Sequence, residues 1–365
     1  MNVLHTETLQ GWGGQQNKVI KELVATRDLG HAVFLLCGPG TEIGARARNA
    51  GVTVFEFPMT RWTYHKSIPF TLQLIEKLNI DVLITHSSAD SWMGAIAGRL
   101  ARRKVIAMRE RHNLHTIVGW PSKWLHRKLF HRLLAVSQKV KDYLVEEIQV
   151  QAEKVLLLNS VVNVAAFEHA QSTIRQELGI PADALVIGMF SILRVNKGIY
   201  DFREIVARML PANPNTYAIF GGKTNPDRIR EFSEYFRQHG VDPGHVKWTG
   251  YREDAANVMK GFDVFVFPSH SEGWPNVLLE AMACGLPVVT YDIRPMSDMI
   301  ENGATGFTVP FQDFDLLAQR TGQLLRDAGL RRELGRAALA AAKQRFDEAG
   351  LKENVRGILE AVTRG

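Results

Sequence analysis

The sequence predicts an α/β protein built from two doubly wound units, each a parallel sheet covered by helices on both faces. Three observations carry that expectation. The chain has 365 residues, more than one apolar core ordinarily supports, so two domains are the natural prior. Short β-branched or aliphatic runs alternate with amphipathic stretches, which is the pattern of strands joined by crossover helices. That pattern also occurs twice, with a join between about Asn163 and Pro181.

In the first unit the strand-like runs begin at Asn2, Ala32, Val52, Asp81, Lys104, Leu133 and Val155. In the second they begin at Val186, Tyr217, Val246, Val264, Pro287 and Gly306. The expected boundaries are residues 1–165, residues 166–345, and a C-terminal helix, 346–365, packing back toward the first unit. A helical tail from roughly Ala338 to Val362 has no strand after it. Ligands of open α/β sheets bind outside the carboxyl ends of the strands, so two such units facing one another would form a cleft, with functional residues just after strands.

Composition narrows the class. The 45% apolar and 22% charged content is that of an ordinary globular chain, and no apolar run approaches the roughly 18–20 residues that span a bilayer. The N-terminal residues lack the pattern of a secretory signal, so a cytosolic protein is expected. Cys37 and Cys284 lie in apolar surroundings and are expected as buried thiols. Charge is uneven: residues 1–165 hold 21 Lys and Arg against 13 Asp and Glu, whereas the remainder holds 23 against 25. Much of the excess falls between Arg99 and Arg132 and favours an anionic partner.

The segment Phe265 to Val289 carries the most chemistry. An apolar strand ends at Pro268, a polar loop holds Glu272, Gly273 and Trp274, and a helix is expected to start near Pro275, the residue favoured at a first helical position. Free amides at Asn276, Val277 and Leu278, with the positive end of the helix dipole, suit a diphosphate. Glu280 lies within reach of a ribose behind the phosphates, and Glu272 points to where a sugar would lie. A second loop, Gly188 to Gly198, bears Arg194 and Lys197, cations suited to neutralising a departing diphosphate.

This arrangement, Glu-x7-Glu inside S-E-G-W-P-N-V-L-L-E-A-M-A-C-G-L-P-V-V, resembles the family-four retaining glycosyltransferases of the GT-B fold. The resemblance is dense over residues 186–310 and sparser over the N-terminal half. It implies that Glu272 binds donor-sugar hydroxyls, that Glu280 binds the ribose diol, and that residues 275–278 bind phosphate. The family's loop cations are often five apart; Arg194 and Lys197 are three apart, which makes Lys197 the firmer assignment. Gly13 and Gly14 resemble the family loop that meets the donor diphosphate. His112 stands where the family often has a histidine near the donor sugar. Gly222 and Lys223, with Tyr251, match loops lining the base pocket. The implied activity is transfer of a sugar from a nucleotide-diphosphate donor, expected to be a UDP-sugar, to a lipid-linked or cell-surface glycan, as in bacterial lipopolysaccharide or exopolysaccharide synthesis. A sugar-nucleotide epimerase or hydrolase, or a non-catalytic scaffold, are the rival readings.

Two lookalikes need weighing. Cys37 to Gly44, with Glu56 beyond, imitates a dinucleotide fingerprint but follows the second strand, whereas such fingerprints occupy the first βα turn. Asp313-Phe-Asp315 imitates a metal-binding DxD, yet Asp315 precedes a helical run and reads as its N-cap. No metal and no cofactor are expected. The stretch Gly119 to Leu134 mixes Lys123, Arg127 and Lys128 with Trp120, Trp124 and Phe130, which suits an anionic membrane surface on the inner face of the cytoplasmic membrane. No recognised nucleic-acid module accompanies that charge, so nucleic acid is not expected as a partner.

Overall fold

The computed structural model describes residues 1–114 and 116–363, and the chain divides into two compact units. One comprises Met1–Ser160 together with the segment from Ala349 onward; the other is Val161–Glu348. The first unit holds seven strands: β1 (Asn2–Glu7), β2 (Ala32–Cys37), β3 (Thr53–Glu56), β4 (Val82–Thr85), β5 (Ile106–Arg111), β6 (Arg132–Ala135) and β7 (Val155–Leu157). They pair in parallel in the order β3-β2-β1-β4-β5-β6-β7. The second unit holds β8 (Leu185–Phe190), β9 (Thr216–Gly221), β10 (Val246–Gly250), β11 (Val264–Phe267), β12 (Val288–Tyr291) and β13 (Gly306–Val309). These are also parallel, in the order β10-β9-β8-β11-β12-β13.

Both sheets reverse their winding at the centre, between β1 and β4 in one unit and between β8 and β11 in the other. At such a point neighbouring connections leave toward opposite faces and open a crevice at the carboxyl ends of the two strands. The central strands read as continuous apolar runs because helices cover both faces: β11, Val264–Phe267, is buried throughout. Around β9 an aromatic cluster fills the core. Phe220 lies 4.4 Å from Trp248, 4.7 Å from Phe202 and 5.7 Å from Phe232, centroid to centroid. Cys37 and Cys284 are both free and buried.

Three local expectations change. The C-terminal tail is two helices, Ala328–Arg345 and Leu351–Thr363. Buried Phe346 sits edge-on to Trp274 at 5.8 Å, its carbonyl accepts from Val162 N at 2.9 Å, and Glu348 N donates to Val162 O at 3.0 Å. Those bonds take backbone groups that a continuous helix would need. The second of the two helices belongs to the first unit, where it packs on the helix Gly14–Asp28 and pairs Lys352 with Asp28 at 3.1 Å. The cap of the helix Phe314–Arg326 is Asp313, whose Oδ1 accepts from Leu316 N at 2.9 Å; Asp315 is an exposed partner of Arg208. In the basic stretch, a short helix, Trp120–Trp124, runs into a π-turn, Leu125–Leu129. Phe130 is core and not interface, being 1% exposed.

Truncating Phe220 to Ala removes the ring on which this aromatic cluster closes. We expect the second unit to lose about 3–5 kcal/mol, read as a lower denaturant midpoint in its own transition; a loss under about 1 kcal/mol would show that the cluster does not hold the sheet together.

Candidate functional site

In the second unit the site grows from the loops that follow β8 and β11, the strands flanking the reversal. After β8 the chain turns through Val195–Lys197 to Gly198, whose φ of +76° lies in the left-handed region. A Cβ on Gly198 would stand 1.9 Å from the carbonyl oxygen of Pro268, at the end of β11, so only glycine allows the two backbones to cross so closely. The crossing is then stitched: His270 N donates to Asn196 O at 3.0 Å, and His270 Nε2 lies 2.9 Å from Asp201 Oδ2, which also accepts from Tyr291 at 2.6 Å.

Lys197 and Glu272 meet as a consequence. Lys197 Nζ is 2.7 Å from both Glu272 oxygens, and the Ser269 hydroxyl donates to Oε1 at 2.7 Å. The Glu272 side chain is 7% exposed and the Lys197 side chain 25%, so the pair is partly desolvated with one edge open. A charge-assisted, two-pronged contact of this kind orients both groups.

Glu272, Gly273 and Trp274 lead into the helix Asn276–Ala283, which carries Glu280 on its second turn. Pro275 is the residue before the helix, not its first. Of the three amides expected to be free, that of Leu278 donates to Pro275 O at 3.0 Å. Among the described residues those of Asn276 and Val277 meet no acceptor, and the buried Asn276 Oδ1 has no donor. Two open amides at a helix start suit an anion.

The remaining expected residues of this unit ring the same sheet edge. Arg194 is exposed and has no carboxylate partner among the described residues. Gly222, at φ +136°, crosses Ser191 with room for no Cβ, and its N–H donates to Thr249 at 3.3 Å, tying the loops after β9 and β10. Lys223 and Tyr251 project from those loops into solvent.

The first unit has its own cluster at the β1/β4 reversal. Gly13 precedes the helix Gly14–Asp28, and Gly14 opens it. His112, just past β5, has a nearly buried side chain. Around it sequence reasoning missed His5, Lys18, Glu22, His86 and Glu110, all buried. A signal was present: Arg109-Glu110-Arg111 sits on a strand flanked by strands, where apolar residues are the rule. His5, Glu22 and His86, and likewise His86, Glu110 and His112, bring possible metal-ligand atoms within 4.8 Å of one another. Lys18 forms ion pairs with both Glu22 and Glu110, so an ammonium already supplies the cation there. In the two lookalike motifs Glu56 pairs with Arg48, and Asp313 caps a helix.

Burial drives the electrostatics of this unit. It pushes the imidazoles of His5 and His112 well below their ordinary range and that of His126 down to about 3. Each is neutral in the fold and takes up a proton on unfolding below pH ~6.5, so stability rises with pH in that window and falls as pH drops through it. Burial raises the Asp90 carboxyl to about 6, against Arg109, and also raises Glu22; these two act in the opposite sense. The three imidazoles outweigh them. The amides of β1, β4 and β5 should therefore exchange with deuterium faster at pH 5 than at pH 7, after correction for intrinsic rates; slower exchange at pH 5 would reverse the balance.

A site change follows from the crossing at Gly198. Gly198→Ala should cost more than about 1 kcal/mol, since it adds strain at a positive φ to a backbone clash. An unchanged melting temperature would mean that the two loops part freely.

Comparison with known proteins adds the family. Residues 184–327 match the family described as glycosyl transferases group 1, and residues 12–165 match Glycosyltransferase Family 4. The UDP-Gal:alpha-D-GlcNAc-diphosphoundecaprenol alpha-1,3-galactosyltransferase of Escherichia coli is 25% identical over 268 residues, 68% of this chain and 67% of that one. The N,N'-diacetylbacillosaminyl-diphospho-undecaprenol alpha-1,3-N-acetylgalactosaminyltransferase of Campylobacter jejuni is 24% identical, with 89% of each chain covered. Among solved structures, Anabaena HepE in complex with UDP shares the fold with a TM-score of 0.87 at 21% identity, over 99% of this chain and 100% of that one. The two family matches fall one on each unit, and with the parallel-sheet pair and the Glu272–Glu280 segment they establish that the chain belongs to the family-four, GT-B glycosyltransferases.

Proposed function

We propose that this glycosyltransferase moves a sugar from a UDP-sugar to a lipid-linked glycan, with retention of anomeric configuration and without a metal ion. The observation that carries the reading is the pairing of Lys197 with Glu272 beside the open amides of Asn276 and Val277. A cation, a carboxylate and a helix N-terminus together match a diphosphate with a sugar attached. Two relatives are named for diphosphoundecaprenol-linked acceptors, which supports an acceptor of that class.

In this reading Glu280 takes the ribose hydroxyls and Glu272 the sugar hydroxyls. The bond from the anomeric carbon to the β-phosphate oxygen breaks as the acceptor hydroxyl attacks from the same face. The departing diphosphate receives the acceptor's proton. Lys197, Arg194 and the helix amides balance the charge that grows on the leaving group, which is the part a metal ion plays elsewhere. Among the described residues no helix is long and apolar enough to cross a membrane. Trp120 and Trp124, 73% and 38% exposed and stacked at 6.2 Å, stand beside Lys123 and Lys128 and would rest on an anionic lipid surface at the cytoplasmic face.

Thermal-shift measurements with UDP-, GDP-, ADP- and CMP-sugars test the donor first, with the UDP series expected to stabilise most. Lys197→Ala and Glu280→Ala should each lower transfer about 100-fold or more; wild-type rates in both would remove the site assignment. Vesicles rich in anionic lipid should bind the chain in a salt-sensitive way that weakens in Trp120→Ala/Trp124→Ala. Binding indifferent to both would exclude that surface.

A further inference from the structure

Three buried imidazoles form a chain beneath the carboxyl ends of β1, β4 and β5. His5 Nδ1 lies 2.9 Å from His86 Nε2, and His86 Nδ1 lies 3.0 Å from His112 Nε2. Each N···N contact holds one proton, so the chain can run in either of two directions. Geometry alone does not choose between them. Glu110 does.

Glu110 Oε2 is 3.2 Å from His86 Nδ1, and Oε1 receives the Lys18 ammonium, which also reaches Glu22. Burial alone would raise the Glu110 carboxyl, but the Lys18 ammonium against it holds it well below the usual carboxylate range. Oε2 makes no hydrogen bond, yet a carboxylate charge 3.2 Å from His86 Nδ1 favours an N–H at that nitrogen over a lone pair. In the neutral form of His86 the Nε2 is then a lone pair and accepts from His5 Nδ1–H. His112 Nε2 faces the same His86 N–H across 3.0 Å and must also be a lone pair, since two protons do not fit in that gap. The single proton of neutral His112 is left on Nδ1. In the reverse direction, bare His86 Nδ1 and Glu110 Oε2 would face each other as two acceptors at 3.2 Å, and the buried, unpartnered His5 Nε2 would become a stranded N–H.

We infer that Lys18, Glu110 and His86 are positioning residues that lock His112 in its neutral Nδ1–H tautomer, so that it offers a hydrogen-bond donor, and not a base, to a substrate oxygen. The charged and titratable groups facing the relay are Lys18 and Glu22 from the helix Gly14–Asp28, His5 from β1, His86 after β4, and Arg109 and Glu110 from β5. Only the kinetic consequence rests on the transferase reading; the tautomer does not.

The test is imidazole NMR of the full chain labelled with nitrogen-15 histidine, with His112 assigned through His112→Gln. Wild type should show a pyrrole-like Nδ1 and a pyridine-like Nε2 at His112. His86→Gln, whose amide can still donate, should keep that signature, and His86→Leu should give mixed tautomers. In transfer assays His86→Leu should lower kcat about 10- to 100-fold with KM for the donor changed less than about threefold, the size expected when one buried hydrogen bond is lost. His86→Gln should restore most of it. If His86→Leu does not fold, Glu110→Gln replaces it and should shift the His112 nitrogens. A proton on Nε2 in wild type, or signals unmoved by His86→Leu or Glu110→Gln, overturns the relay. So does stoichiometric Zn²⁺ binding that His86→Leu abolishes, since the cluster would then be a metal site. The expected tautomer in a chain that transfers no sugar would sink the transferase reading and leave the relay standing.

Discussion

The backbone of Gly198 runs so close to the Pro268 carbonyl that no side chain fits between them, and the rest of the site in the second unit depends on that crossing. It fixes the loop after β8 against the loop after β11, and so fixes Lys197 against Glu272. The crossing itself follows from strand order. Because β8 and β11 are neighbours at the reversal, their connections leave toward opposite faces and their first residues share one edge. Asn196, Asp201, Ser269 and His270 then use polar contacts to convert adjacency into register. Sequence dictates a glycine, the glycine permits an approach, and the approach places a cation.

The first unit solves a related problem with the opposite material. Its reversal point is filled by ionisable side chains drawn from β1, β5, the turn after β4 and two helices, nearly all out of contact with water. Groups so placed are costly unless each has a partner, and here nearly every one does. Glu7 accepts from the amides of Thr8 and Leu9 and from Gln15, and Asp90 accepts from Thr6 and from the amides of His86 and Ser87. Such a network is stiff. The unpartnered atoms that remain, among them Arg109 Nε and Nη1, mark where the network is least complete.

Much of this was legible before any coordinates, and the reasons differ by element. Each run of β-branched and aliphatic residues became a strand because a doubly covered parallel sheet demands such runs. The Glu272–Glu280 segment was legible because loop, helix start and both carboxylates are contiguous. What escaped depends on contacts far apart in sequence. His5 lies on β1 and His86 and His112 just past β4 and β5, and no spacing rule unites them. The Leu278 amide was misjudged because a tight first turn returns it to Pro275, a matter of a few degrees of backbone. Phe130 reads as interfacial beside Trp120 and Trp124, but the π-turn before it rotates it into the core.

The break at Phe346 to Gly350 bears on the order in which the protein is made. The helix Leu351–Thr363 belongs to the first unit, yet it emerges from the ribosome only after the whole of Val161–Glu348. Until then the helix Gly14–Asp28, which carries Lys18 and Glu22, lacks the neighbour that packs along it. Domains generally fold as units in order of synthesis, but this one cannot finish first. Its last piece is withheld until the second unit has been made, so the unit with the buried charges closes only after Val161–Glu348 has been synthesised.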